Sequence, residues 1–299
     1  MIINPYIYSG GSLFDDTLVV YSLRVPAMTN LWTNAVVKVR RDSDDATAYV
    51  FPSGAFVNAT ISTSSFISTT SNTTPSAVTL GTWISTDDGY VEEWIGQTPD
   101  NVVDTNKILS QATLGQQPQL VKGGAVHLEN GRAVINFDGT DDLYTSTAHS
   151  SLNNTETFTI MAVSLSTGGN SIPAVWSTQI TTTGSRLTLY NSRSGTLMVK
   201  CRHTANNHVN YLSADSTTVQ RLQTVVYDDV TAEGWKDSVA QTGVTVTQDY
   251  ANNGFKVGRE QTTVSPLTGG IQEVIIFPSD KTSDLTALNT NINTYYTIY

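Results

Sequence analysis

Apolar residues in this chain come in short bursts rather than long stripes. The runs "TLVVYSL", "AVVKVR", "AVINF", "FTIMAVS", "LTLYN", "LMVKCR", "TVVYD", "GFKVG" and "IQEVIIF" either alternate apolar with polar residues or are rich in β-branched ones, and Gly, Asn, Asp or Ser clusters separate most of them. Nine such runs punctuated by turn signals predict an all-β sandwich or jelly roll. Two segments break the pattern. The stretch 58–77, "NATISTSSFISTTSNTTPSA", is rich in Ser and Thr and predicts a long exposed loop or an irregular edge hairpin. Near the C-terminus, Leu285, Leu288, Ile292 and Tyr295 fall on one helical stripe, with Thr282 or Ser283 placed to cap it. That helix is expected to pack on the outside of the sandwich.

Composition narrows the picture. Charged residues are only 14% of the 299, which suits short strands better than long salt-bridged helices. The net charge of -10 argues against non-specific binding of nucleic acid or an anionic membrane, because both need basic surface. No basic segment leads into a sustained apolar run, and nowhere do 18 apolar residues follow one another, so neither a secretory signal nor a membrane span is expected. The single cysteine, Cys201, sits in an alternating run and reads as a buried thiol.

Three stretches, 19–45, "DDGYVEEWIGQTPDN" (87–101) and "SQATLGQQPQLV" (110–121), resemble the opening of family B alpha-L-arabinofuranosidase catalytic domains and related phage virion proteins. Further on, "AVINFDGTDDLYT", "FTIMAV", "TVVYDD", "GFKVGRE" and "GGIQEVIIFPSDKTSDLTAL" follow the order seen in concanavalin A-like lectin/glucanase jelly rolls of the laminin-G type. The start "IINPY" is similar to the first residues of many phage tail and fibre proteins. The resemblance implies a concanavalin A-like jelly-roll β-sandwich with one C-terminal helix. It divides the chain into an attachment segment, 1–16, and one sandwich domain, 17–299, made of an N-terminal extension (17–118) and a jelly-roll core (119–299). It also implies a fibre or decoration component on the surface of a phage particle, assembled with other virion proteins, homotrimeric, and adhering to a bacterial surface glycan.

The chemistry on offer is sparse. "FDGTDD" places Asp138, Asp141 and Asp142 around Gly139, and it reads either as a tight turn with Asx bonds or as a calcium loop with several oxygens on one bend. No other cofactor is suggested. Glu273 alternates with Ile271, Ile275 and Phe277 and so shares their sheet face, where a carboxylate needs a partner or a purpose. Neighbours such as Glu92 and Glu93 should point to opposite faces of a strand and cannot form a catalytic pair. Where the arabinofuranosidases carry a Tyr-Asp-Gln-Ser-Gly run, this chain has Ile95, Gly96, Gln97, Thr98 and Pro99, and it lacks the Phe-Glu-Gly segment of their nucleophile and the ExDxxE strand of the glucanases. The resemblance thus carries the fold and leaves glycoside hydrolysis, or a purely architectural part, as alternatives. Among the histidines, His203 and His208 lie close in sequence but bring no further zinc ligands. Arg40 and Arg41 precede Asp42, Asp44 and Asp45 and predict a local ion-pair network. For sugar stacking, Trp235 in its hairpin is the leading candidate, with Trp94 and Asp237 beside it.

Overall fold

The structure is a computed structural model that describes residues 7–8, 11–54, 56–147, 149, 152, 156–168, 173–178, 186–191, 195–202, 214–215, 219–228, 231–241, 244–245, 254–260 and 265–299. Each of the nine apolar runs contains a strand. One antiparallel sheet has the order Thr231–Lys236, Arg221–Asp228, Thr157–Ser166, Thr268–Phe277 and Val19–Ser22. The second runs from Gly195–Arg202 through Arg186–Asn191, Ala174–Ser177, Phe255–Val257, Tyr144–Ser146, Ile108–Ser110, Gly89–Ile95, Val37–Arg41 and Thr47–Val50 to the two-residue strand Ile67–Ser68. The strands Ile135–Asp138 and Gln119–Lys122 stitch the two sheets along a seam, the former pairing with Thr268–Phe277 and the latter with Gly89–Ile95.

The core fills the space between the sheets, with Ile160, Ala162, Val225, Val274 and Ile276 from the first facing Val39, Trp94, Leu109, Trp176 and Phe255 from the second. The protein is a β-sandwich with one long helix at its C-terminus, Leu285–Tyr296, and a short helical turn at Leu80–Ile84. The predicted stripe holds: Leu285, Leu288, Ile292 and Tyr295 are buried against Val20, Met161, Val163, Ile275 and Phe277 on the outer face of the first sheet. That sheet is therefore covered on both faces, which is why its two long central strands read as nearly unbroken apolar runs.

Three details differ from expectation. The helix is entered through a 3₁₀ turn, Thr282–Asp284, so neither Thr282 nor Ser283 is its cap; Asp284 holds that position without a side-chain bond to the helix amides. The segment 58–77 follows the edge-hairpin expectation, Ile67–Ser68 pairing with Thr47–Val50, but is less exposed than its composition suggests. Ala59, Ile61 and Ile67 enter the core, and hydroxyls pin the backbone, with Ser71 Oγ accepting from the amides of Thr73 and Thr74, both at 3.2 Å. Third, two bulges break the side-chain alternation. Glu273 pairs with Val163 but Ile271 with Ser164, so Gln272 is an extra residue and Ile271 turns into the inner core while Glu273 stays with Ile275 and Phe277 on the helix side. In the same way, Lys38 pairs with Glu93 and Val39 with Val91, leaving Glu92 as the extra residue.

Candidate functional site

Strand alternation turns Val39 and Val91 inward, so Arg40 and Tyr90 point outward from the second sheet. Registers then set four outward residues in one row. Arg40 lies opposite Tyr90, Tyr90 opposite Gln119, and Gln119 opposite Asn136. The row floors a groove of about 450 Å³, walled by Asp42 and Asp45 at one end, Leu114 and Gln117 along a side, and Asp138 and Asp142 at the other end. The Arg40 guanidinium sits 5.0 Å from the centre of the Tyr90 ring, donates through Nη1 to Asp42 and Asp45 at 3.2 and 2.8 Å, and donates to Gln117 Oε1 at 2.8 Å. The predicted ion-pair network of this basic pair is thus present, Arg41 being joined to Asp44 at 2.6 Å.

The aspartate loop closes the groove. Asp138 Oδ1 accepts the Thr140 amide at 2.7 Å, an Asx turn, and Asp142 Oδ2 accepts the Asp138 amide at 2.8 Å. Gly139 has φ of 83°, and a Cβ there would collide with Thr268 Oγ1. Among the described residues, Asp138, Asp141 and Asp142 are the one group of three or more His, Cys, Asp or Glu side chains close enough to share a cation, each offering an oxygen within 4.8 Å of the others. A calcium ion wants six to eight oxygens, so these three carboxylates would need help from backbone carbonyls and water.

Burial, reinforced by the charges of Asp138 and Asp141 and only partly opposed by the Asp138 amide, pushes the Asp142 carboxyl from its ordinary 3.8 up to about 7. The native state thus keeps a proton that the unfolded chain releases from about pH 4 upward, and stability falls as pH rises through the window from about 4 to 7. Replacing Asp142 by asparagine keeps the acceptor for the Asp138 amide and removes that slope. The Asp142→Asn protein is expected to be more stable than wild type at about pH 8, on the order of 1–3 kcal/mol, and matched to it near pH 4. Parallel melting curves in the two proteins at both pH values check this.

The other sequence candidates scatter. Trp94 is fully buried, tilted against Tyr21 and Tyr144 at 6.0 and 6.3 Å, and offers no face to a surface sugar. It sits on the inward side of its strand, where sequence alone gives no depth. Trp235 is half-buried beside the C-terminal helix, away from the Arg40 row. Asp237, in the turn after it, accepts from Arg221 Nη1 at 2.6 Å and from the Leu222 amide at 3.0 Å, which fixes the hairpin. Glu273 is sealed from solvent in a two-toothed pair with Arg24, at 2.9 and 3.1 Å, and cannot touch a substrate. Glu92 and Glu93 do not point apart: the bulge brings both to Lys38, at 3.1 and 3.7 Å, where they share one ammonium. His149 is buried near Tyr21 and Ser146, and desolvation lowers its pKa to about 4. His203, His208 and the Cys201 side chain lie outside the described residues.

No family model matches the sequence, and no curated protein matches it. Solved structures do. A GH54 α-L-arabinofuranosidase soaked with a cyclic sulfate inhibitor superposes with a TM-score of 0.63 at 14% identity, covering 94% of this chain and 63% of that one. An arabinofuranosidase complexed with arabinofuranosyl-α-1,2-xylobiose gives 0.62 at 15% identity with the same coverage. The Ruminococcus gnavus IT-sialidase CBM40 bound to α2,3-sialyllactose gives 0.42 at 15%, over 52% of this chain and 95% of that domain. The chain spans less than two thirds of the length of the arabinofuranosidase structures. The likeness to arabinofuranosidases, which the motifs confined to the N-terminal part, is one of fold over nearly the whole chain.

Proposed function

We propose that the chain is a glycan-binding protein and that the glycan lies across the Arg40–Tyr90–Gln119–Asn136 row. The carrying observation is the row itself: four side chains from four strands, set in register on an open face, combine a ring with amide and guanidinium groups inside one groove. Sugars need this pairing of an apolar plate with directional hydrogen bonds. The fold it shares with carbohydrate-active enzymes is in keeping with this reading.

The proposal extends to the setting. The opening "IINPY" and the order of the jelly-roll motifs support a fibre or decoration component of a bacteriophage particle, and trimeric assembly would multiply weak sugar contacts into avidity. Density for this chain projecting outward in cryo-electron microscopy of a particle is the expected result; a position at an internal joint would contradict the adhesive part.

A second reading, glycosidic bond hydrolysis, draws on one observation. Asp138 and Asp142 present oxygens within 4.8 Å of each other, and Asp142 holds its proton up to about pH 7, so an acid stands next to a second carboxyl. One experiment serves both readings: a glycan array probed with wild type and with Tyr90→Ala, each bound glycan then weighed by mass spectrometry. Binding by wild type, weakened at least about tenfold by Tyr90→Ala with the glycans intact, is expected. Retention of every bound glycan by the variant at the wild-type level would overturn the site, and shortened glycans would move the assignment to hydrolysis.

A further inference from the structure

The C-terminal helix buries one stripe and leaves another to solvent. On the exposed side Thr286, Thr290 and Thr294 stand one turn apart, and Asn289 lies beside them. This stripe faces Trp235, which projects from the Thr231–Lys236 strand of the first sheet, and Tyr299, which is 52% exposed. Between them runs a groove of about 330 Å³ without a single charged side chain in its lining. Asn289 is the telling member. It is only 3% exposed, it borders the groove, and its Oδ1 has no hydrogen-bond partner. A buried acceptor left without a donor is unfavourable, and a turn of the Asn289 amide would present it to a hydroxyl held in the groove.

We propose that this groove is a second binding site, for an uncharged saccharide. Trp235 and Tyr299 offer ring surface to the apolar face of a sugar, and the threonine hydroxyls and Asn289 amide supply donors and acceptors for its hydroxyls. The absence of charged side chains from its lining sets it apart from the Arg40 row, which carries four aspartates and an arginine. The two grooves open on opposite faces of the sandwich, one on the second sheet and one on the helix-covered face of the first. A single chain can therefore hold two sugars of different chemistry. The site stands on its own geometry and does not depend on the fate of the first.

The test uses the 299-residue chain on an array of neutral and acidic oligosaccharides, with four forms: wild type, Tyr90→Ala, Trp235→Ala and Thr290→Arg. Thr290 is exposed, so an arginine there fills the groove without disturbing the buried stripe, and an unchanged melting temperature verifies this. At least one neutral glycan should be retained equally by wild type and Tyr90→Ala, at least about tenfold less by Trp235→Ala and Thr290→Arg. That binding should also be unchanged between about 0.05 and 0.5 M salt, since no charge pair contributes to it. Failure of every neutral glycan to bind Tyr90→Ala overturns the second site, as does retention by Thr290→Arg at the wild-type level. The first site is read separately on the same array: it fails if no glycan retained by wild type is lost on Tyr90→Ala, whatever Trp235→Ala and Thr290→Arg do.

Discussion

Replacing Glu273 by leucine is expected to lower the unfolding free energy by about 3–5 kcal/mol, because it strands a buried guanidinium. Arg24 and Glu273 are both fully buried and meet through two hydrogen bonds, Nε to Oε1 at 2.9 Å and Nη2 to Oε2 at 3.1 Å. Burial alone would push the Arg24 pKa down; Glu273 beside it reverses that and holds it above the usual value. The remaining face of Arg24 is also occupied. Its Nη1 donates to Asn58 and Asn291, at 2.9 and 3.1 Å, and the rings of Phe14, Tyr295 and Tyr296 surround it within 5.9 Å. One arginine thereby ties the first sheet, the C-terminal helix and the Asn58 turn together. Substituting both partners, Arg24→Met with Glu273→Leu, should recover most of the loss, since no charge remains to be desolvated. Denaturant melts of the single and double variants measure this. A single variant within about 1 kcal/mol of wild type would show that Glu273 is not held for structure, reopening it as a functional carboxylate.

Trp94→Ala is the second large effect, also about 3–5 kcal/mol, through an unfilled cavity between the sheets. The indole is fully buried among Tyr21, Tyr144 and its core neighbours. The loss should appear in stability and not in sugar retention: at temperatures where the variant is folded, its glycan binding should equal that of wild type. The opposite pattern, weak destabilisation with lost binding, would place Trp94 at a ligand surface.

Stability and the proposed binding thus separate along the pleat. Inward residues such as Val39, Val91 and Trp94 hold the sheets together, while their outward neighbours Arg40 and Tyr90 furnish the groove. The strands were legible because short β-branched runs between turn residues have few other uses, and the C-terminal helix because a period of 3.6 is hard to mistake. The aspartate loop was legible as a place. The groove it closes was not, since Arg40, Tyr90, Gln119 and Asn136 become neighbours only through strand registers that no local pattern encodes. Around Tyr90 the signal was further hidden by the Glu92 bulge, which spoils the alternation of "GYVEEWI" just where a strand would otherwise have been evident. A second bulge at Gln272 misplaced Ile271 for the same reason. The depth of Trp94 and the half-exposure of Trp235 depend on what packs above them, and the sequence is silent on that.

The most direct measurement is a crystal structure of the protein grown with a glycan that the array retains. Glycan density over the Tyr90 ring, within hydrogen-bond reach of Gln119 and Asn136, is the predicted result; density confined to any other surface would contradict the assignment of the Arg40–Asn136 row as the glycan site.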